Sequence, residues 1–257
     1  MVDAPSPVRA LHEEVRLWLE WARGAGGPWL VAESGAPLLP PVALATQATP
    51  AEAVEAPVAA PPAETPEERA AALEAMRAEV AACTRCVLAG SRQHTVFGEG
   101  SPTPKLVVVG EAPGADEDRT GRPFVGRAGQ LLTKMLAAIG LPREEVFICN
   151  LLKCRPPGNR NPRPDEVAAC KPFLREQLRL LDPPLILALG SPAARELLQT
   201  RRGIMSLRGR FMSTRDGYRV MPTFHPAYLL RNPAAKRDTW EDLKKVAAEL
   251  GLEIPGR

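Results

Sequence analysis

The sequence predicts an α/β fold: three layers, α/β/α, around a central, mostly parallel four-stranded sheet, with a disordered extension at the N-terminus. Three observations predict it. Four short runs, Lys105–Val109, Val146–Cys149, Leu185–Leu189 and Arg219–Thr223, are rich in β-branched and aliphatic residues, and the first three run on without polar alternation. Such runs mark strands covered on both faces. Segments of helical length separate them, and strand alternating with helix is the signature of a parallel sheet. The first 65 residues differ in composition from the rest, with nine prolines from Pro28 to Pro66 among Ala, Glu and Thr. A stretch of that kind cannot bury enough apolar surface to offset the entropy of ordering it.

The divisions expected are therefore residues 1–27, 28–65 and 66–257. In the first, Val8, Leu11, Val15, Trp18 and Ala22 recur at spacings of three and four over 7–23, and Gly24 to Gly27 stop the pattern. This reads as one amphipathic helix, a docking face open to a protein partner. Residues 28–65 read as linker. Order resumes at Thr65-Pro66-Glu67-Glu68, where Thr at N-cap, Pro at N1 and Glu at N3 form a capping box opening a helix to about Ala82. Further helices are expected at about Gly126–Ile139, Pro164–Leu181, Pro192–Leu198 and Ala234–Leu250. No internal repeat occurs.

Charge is unevenly divided. Residues 1–64 carry three arginines against eight acids, and the remainder thirty basic against twenty-two acidic residues. A basic globular part fits a polyanionic partner. No run of eighteen apolar residues occurs, so no membrane span is expected, and no secretory signal is visible; the expected location is the cytoplasm. The P-loop pattern is missing and the first strand-to-helix connection is too long for a dinucleotide fingerprint, which excludes a nucleotide hydrolase and a dehydrogenase.

Two constellations carry chemistry. The first strand ends at Gly110, and Glu111, Asp116, Glu117 and Asp118 follow at once. Open α/β sheets bind ligands at the carboxyl ends of their strands, although a solvated acidic loop has the same composition. The second is cysteine. Five residues, an odd number, argue against a disulfide framework. Cys83-Thr84-Arg85-Cys86 has the spacing of two thiolates on one metal centre, which Cys154 and Cys170 can close. Zinc and an iron–sulfur cluster both suit such ligands, and a redox pair plus two core thiols is the plain alternative. Cys149, on an apolar strand, reads as a core residue.

With these cysteines, the Gly110–Asp118 motif and His225-Pro226-Ala227-Tyr228-Leu229-Leu230-Arg231, the chain resembles the family 4 uracil-DNA glycosylases, the iron–sulfur branch of that superfamily, over roughly residues 75–250. The resemblance implies a [4Fe-4S] cluster on Cys83, Cys86, Cys154 and Cys170. It implies hydrolysis of the uracil–deoxyribose bond, with uracil-containing DNA as partner, in a cytoplasmic, nucleoid-associated monomer. A base in a duplex must be flipped out to be reached. Asn150 can read the flipped base, its carbonyl accepting from N3–H and its amide donating to O4, whereas cytosine offers the opposite pattern. Phe124 matches the family's stacking aromatic, Glu117 lies beside C5 where it excludes thymine's methyl, and Gly110 completes the uracil site. Glu111 orients or deprotonates water and steadies the sugar cation; His225 donates to uracil O2 as charge develops there.

For DNA, Leu229 is the expected wedge into the stack, with Tyr228 or Leu230 able to substitute. Arg231 and Arg155 meet the backbone, Ser191 at a helix start holds a phosphate, and Arg201, Arg202, Arg208 and Arg210 suggest further contacts. Each of these residues also has an ordinary reading: turn residue, cap, loop anchor. The X-type branch, which traps DNA through a histidine after the second strand, is disfavoured because Lys153–Pro162 contains none and residue 112 is Ala. The family 5 branch lacks the acid that Glu111 supplies. A non-catalytic, metal-stapled DNA-binding module is the rival from another class.

Overall fold

The capping box is the first feature of the structure, a computed structural model that describes residues 65–254; the helix expected at 7–23 and all but the last residue of the expected linker lie outside the described residues. Thr65 Oγ1 accepts from the Glu68 amide at 3.2 Å, and Glu68 Oε2 accepts from the Thr65 amide at 3.0 Å, which starts α1 (Pro66–Ala81) at the expected position. Helix α1 buries Leu73, Met76 and Val80 and delivers the chain to the Cys83–Cys86 loop.

The sheet then assembles from β1 (Glu99–Gly100), β2 (Leu106–Gly110), β3 (Val146–Asn150), β4 (Ile186–Leu189), β5 (Met212–Ser213) and β6 (Arg219–Thr223), in the order β1-β3-β2-β4-β6-β5. The four inner strands are parallel and correspond to the four aliphatic runs. To the expected mostly parallel four-stranded sheet the structure adds one strand at each edge, β1 and β5, which pair antiparallel and make six strands in all. Each edge strand is only two residues long, too short to show any period, and short edges of this sort resist pairing with other chains.

Both faces of the sheet are covered, as continuous aliphatic strands require. Val107, Val109, Phe147, Cys149, Ile186, Ala188 and Val220 point to one side, with α1, α4 (Pro164–Leu181) and α5 (Gly190–Leu198) against them. Leu106, Val108, Val146, Ile148, Leu187, Leu189 and Met221 point to the other, under α3 (Arg127–Ala138), α7 (Pro226–Arg231) and α8 (Lys236–Glu249). Cys149 is fully buried in this core. Three short helices, α2 (Ala115–Thr120), α6 (Ile204–Leu207) and α7, lie in connections where the periodicity predicts no helix. Among the described residues no helix is long and apolar enough to cross a membrane.

Register decides where the chemistry can sit. Gly110 pairs with Asn150 and Leu189 with Thr223, so the four parallel strands end nearly level. From β2 the chain steps to β3 on one side, then returns past β2 to β4 and β6 on the other. That reversal opens a crevice at the strands' carboxyl ends.

Candidate active site and cysteine centre

The crevice is a cleft of about 470 Å³, within the usual range of small-molecule sites. Glu111, Phe124, Asn150 and His225 line it together, with Glu117 and Arg231. They come from three places in the chain, the stretch after β2, the last residue of β3 and the stretch after β6, and the sheet's register gathers them.

The floor is built by close approach. A Cβ placed on Gly110 would lie 2.3 Å from Asn150 Oδ1 and 2.6 Å from Phe124 Cζ, so only glycine leaves both side chains where they are. Phe124 itself is held at φ +52°, a left-handed conformation that costs a side-chain-bearing residue ~1–3 kcal/mol and persists where surroundings over-determine it. Glu117 is one such constraint. Its Oε1 accepts from the Val125 and Gly126 amides at 2.9 and 3.0 Å, and its Oε2 from the Gly114 amide at 3.1 Å. The same carboxylate thus caps α2 and pins the Phe124 loop across it. Gly129 is another: a Cβ there would meet the Phe124 carbonyl carbon at 2.0 Å.

Asn150 closes β3 and is 1% exposed. Its Oδ1 is the one buried side-chain oxygen or nitrogen among the described residues without a hydrogen-bond partner. Buried polar groups are nearly always paired, so an orphan facing a cleft marks a ligand's position. Glu111 is half-buried, and burial raises its carboxyl above the ordinary range with no cation to counter it. His225 sits at the N-cap of α7, where its Nδ1 accepts from the Ala227 amide at 3.1 Å. Burial, aided by the nearby Arg231 guanidinium, pushes the imidazole down to about 4. The ring is therefore neutral at ordinary pH, and with Nδ1 accepting, the proton sits on Nε2. Its centroid lies 5.7 Å from that of Phe124.

Comparison with known proteins agrees with this geometry. A profile of the uracil DNA glycosylase superfamily matches residues 97–244, more than half of the chain and all six strands of the sheet. The chain belongs to this superfamily. It is 46% identical over 184 residues to a type-4 uracil-DNA glycosylase of Thermotoga maritima, covering 70% of this chain and 96% of that one. Against a type-4 enzyme of Sulfurisphaera tokodaii it is 42% identical over 182 residues, or 68% and 83% of the two chains. A type-5 enzyme of Pyrobaculum aerophilum is 33% identical over 171 residues, 59% of this chain and 75% of that one.

Within this superfamily fold the outer residues expected at DNA divide. Leu229 is corrected: it is 1% exposed and packs in the core beneath α7, because Pro226–Arg231 is a helix that turns it inward. Its neighbours Tyr228 and Leu230, at 37% and 38% exposed, face solvent instead. Arg231 is exposed at the cleft mouth. Arg155 lies beside the cleft rather than in its wall, its Nε donating to Asn159 Oδ1 at 2.7 Å. Ser191 Oγ accepts from the Ile204 amide at 3.1 Å, tying α6 to the start of α5. Arg208 is also corrected, since it pairs with buried Asp242 at 2.8 Å and covers the Phe224 ring. Arg201, Arg202 and Arg210 are exposed.

On the face of the sheet that α1 and α4 cover, Cys83, Cys86, Cys154 and Cys170 line one small cavity with Val80, Ala89 and Phe173. Cys83 and Cys86 follow α1, Cys154 follows β3, and Cys170 comes from α4. Arg92, which no spacing rule singles out, binds this centre together: its Nη1 donates to the Cys83 carbonyl at 2.7 Å and reaches Cys154 Sγ at 3.5 Å, and its Nη2 donates to the Ala81 carbonyl. The Lys153 amide donates to Cys170 Sγ at 3.2 Å. Among the described residues no three His, Cys, Asp or Glu side chains are grouped to hold a single metal ion.

Proposed function

We infer that the chain excises uracil from DNA by hydrolysing its N-glycosidic bond, as a type-4 uracil-DNA glycosylase of base excision repair. The observation that carries this reading is the unpartnered Asn150 Oδ1 at the floor of a cleft shared with Glu111 and His225. A flipped uracil supplies the missing partner through N3–H, and the Asn150 amide donates to O4. Cytosine puts an acceptor and a donor where these groups need the reverse, and a buried mismatch of that kind is rejected strongly. Phe124, fixed from both sides, is the surface on which the base stacks. Glu117 sits where C5 falls, and its fixed carboxylate leaves no give for a methyl group.

The reaction breaks C1′–N1 and forms C1′–O from water. The bonding pair leaves on uracil N1, and negative charge spreads to O2. His225 Nε2–H donates there as a neutral imidazole, so it stabilises charge without giving up its proton. Glu111 accepts the proton of the attacking water and faces the cationic sugar; its raised pKa brings it closer to a working base. Arg231 and the exposed Tyr228 and Leu230 meet the DNA at the mouth.

The four cysteines fit a [4Fe-4S] cluster better than zinc. A zinc ion draws its thiolates to ~2.3 Å from one centre, whereas a cluster spreads them over separate irons, and four cysteines arranged around one cavity suit the wider arrangement. The apolar wall and the N–H donors to Cys154 and Cys170 are what cluster sulfurs require. When bound, the cluster supplies a covalent staple among α1, the segment after β3, and α4.

The test is a duplex with a single uracil. Purified protein releases free uracil and leaves an alkali-labile site; Glu111→Ala and His225→Ala keep the fold and cut turnover severely. A stable protein–DNA adduct, or neither product, overturns the assignment. Iron and sulfide analysis with absorbance near 400 nm checks the cluster, and zinc there refutes it.

A further inference from the structure

Lys153 is the one lysine among the fully buried side chains, 1% exposed, and nothing in the chemistry above uses it. Its Nζ donates to the Asn150 carbonyl at 2.8 Å and to Gln177 Oε1 at 2.5 Å. Gln177, itself buried on α4, passes the link on by donating from Nε2 to the Phe97 carbonyl at 2.9 Å. The lysine backbone points the other way: its amide donates to Cys170 Sγ, and its carbonyl accepts from the Val96 amide at 2.7 Å. The next residue is Cys154. Asn150 is the last residue of the β2–β3 ladder, and just beyond it Leu151 and Leu152 donate to the Gly110 and Glu111 carbonyls at 2.9 and 3.0 Å. The five residues from Asn150 to Cys154 therefore join the pocket floor to the cysteine centre, and Lys153 touches both ends.

A lysine fully buried is rare unless it is paired, and a structural filler at this spot would be apolar. Both partners of its side-chain nitrogen are neutral oxygens, and one belongs to the residue that reads the base. We propose that Lys153 is a positioning residue that transmits the order of the cysteine centre to Asn150, so that an intact centre is a condition for uracil recognition. This rests on the reading of Asn150 as the base reader. Lys153 holds the Asn150 backbone from behind while Gly110 and Phe124 confine its side chain in front. A group of this kind one shell behind a metal ligand usually matters to both the centre and the activity.

The experiment compares the full chain with Lys153→Met, which keeps the length and removes the donors, and with Gln177→Leu, which leaves the lysine but removes its second partner. A truncation in the α4 core, Leu178→Ala, controls for general destabilisation. Binding is measured to duplexes carrying a non-cleavable 2′-fluoro-deoxyuridine or thymidine at the same place, and iron content is followed during exposure to air. Lys153→Met is expected to lose its preference for the uracil duplex on the order of ten- to a hundred-fold, with thymidine duplex affinity unchanged and faster loss of iron. Gln177→Leu moves both readings the same way by less, and Leu178→Ala moves neither preference nor general affinity. Wild-type preference and iron retention in both Lys153→Met and Gln177→Leu overturn the proposal. So does a loss of preference in Leu178→Ala equal to theirs, which makes the effect one of stability alone. If wild-type protein releases no uracil, the functional reading fails by itself, and the iron-loss comparison still tests the link to the cysteine centre.

Discussion

Replacing Gly110 with alanine adds one methyl group at the narrowest point of the site. Gly110 does not occupy the left-handed region, so the backbone itself tolerates alanine. The penalty comes from space. The new Cβ would lie 2.3 Å from Asn150 Oδ1 and 2.6 Å from Phe124 Cζ, where ordinary contacts begin at 3.4 Å. One of the two must retreat by about 1 Å, a displacement that costs on the order of a hundred-fold in rate when it misplaces a reacting or positioning group. Neither has an easy retreat: Asn150 is fixed at the last rung of the ladder and by Lys153, and Phe124 has Gly129 behind its backbone. Overpacking of this kind destabilises by ~1–3 kcal/mol, which for a domain of this size lowers Tm by about 2–4 °C per kcal/mol. The expected result is a single-turnover rate of uracil release about a hundred-fold below wild type, a Tm lower by several degrees, and an unchanged Kd for undamaged duplex, because the rim is untouched. Excision within threefold of wild type would falsify the idea that the floor is set by this three-way contact.

Three other outcomes follow from the geometry. Glu111 works ionised and its pKa is raised, so kcat/KM falls as pH drops through a value above the ordinary 4.5; His225, at about 4, stays neutral over that limb, and a pH profile with an inflection near the ordinary histidine value of 6.5 contradicts the neutral-donor role. Arg160 holds the buried Glu166 carboxylate with two bonds, 2.9 and 2.5 Å, and keeps it at about 2. Arg160→Ala leaves that charge without its cation and destabilises the domain. Urea unfolding checks this, and the loss shrinks as pH falls from the unfolded glutamate value toward 2, where the wild-type pair is itself being protonated. Leu229→Ala destabilises by ~2–5 kcal/mol as a core truncation, whereas Tyr228→Ala and Leu230→Ala stay within ~0.5 kcal/mol and slow excision from duplex more than from single strands; equal strand effects from all three remove the wedge role from the exposed pair.

What the sequence made legible and what it hid divide along a physical line. The first three inner strands show as unbroken aliphatic runs because both their faces are covered, and Glu111 and His225 stand out because each closely follows a strand, whereas Asn150, an ordinary turn residue by position, is singled out only through the family resemblance. Helix α7 is not among the expected helices: its apolar residues read as an exposed loop tip, although His225 and Pro226 are the N-cap and N1 of a helix start that turns Leu229 inward. The tight contact at Gly110, the left-handed Phe124 and the grip of Glu117 on three amides depend on segments far apart in the chain, and no local pattern encodes them. Arg92 and Lys153 are the clearest case. Each is one basic residue in a basic domain, and only burial and hydrogen bonding separate them from the solvated lysines and arginines around the surface. The place of Lys153 is set by a geometric conflict: β3 must end in the pocket and, four residues later, supply Cys154 on the face of the sheet that α1 and α4 cover. A segment that short, crossing from one centre to the other through the core, still has to satisfy every backbone group it buries. The Asn150 carbonyl at its start accepts from the tip of the Lys153 side chain, a buried lysine whose length is what reaches it.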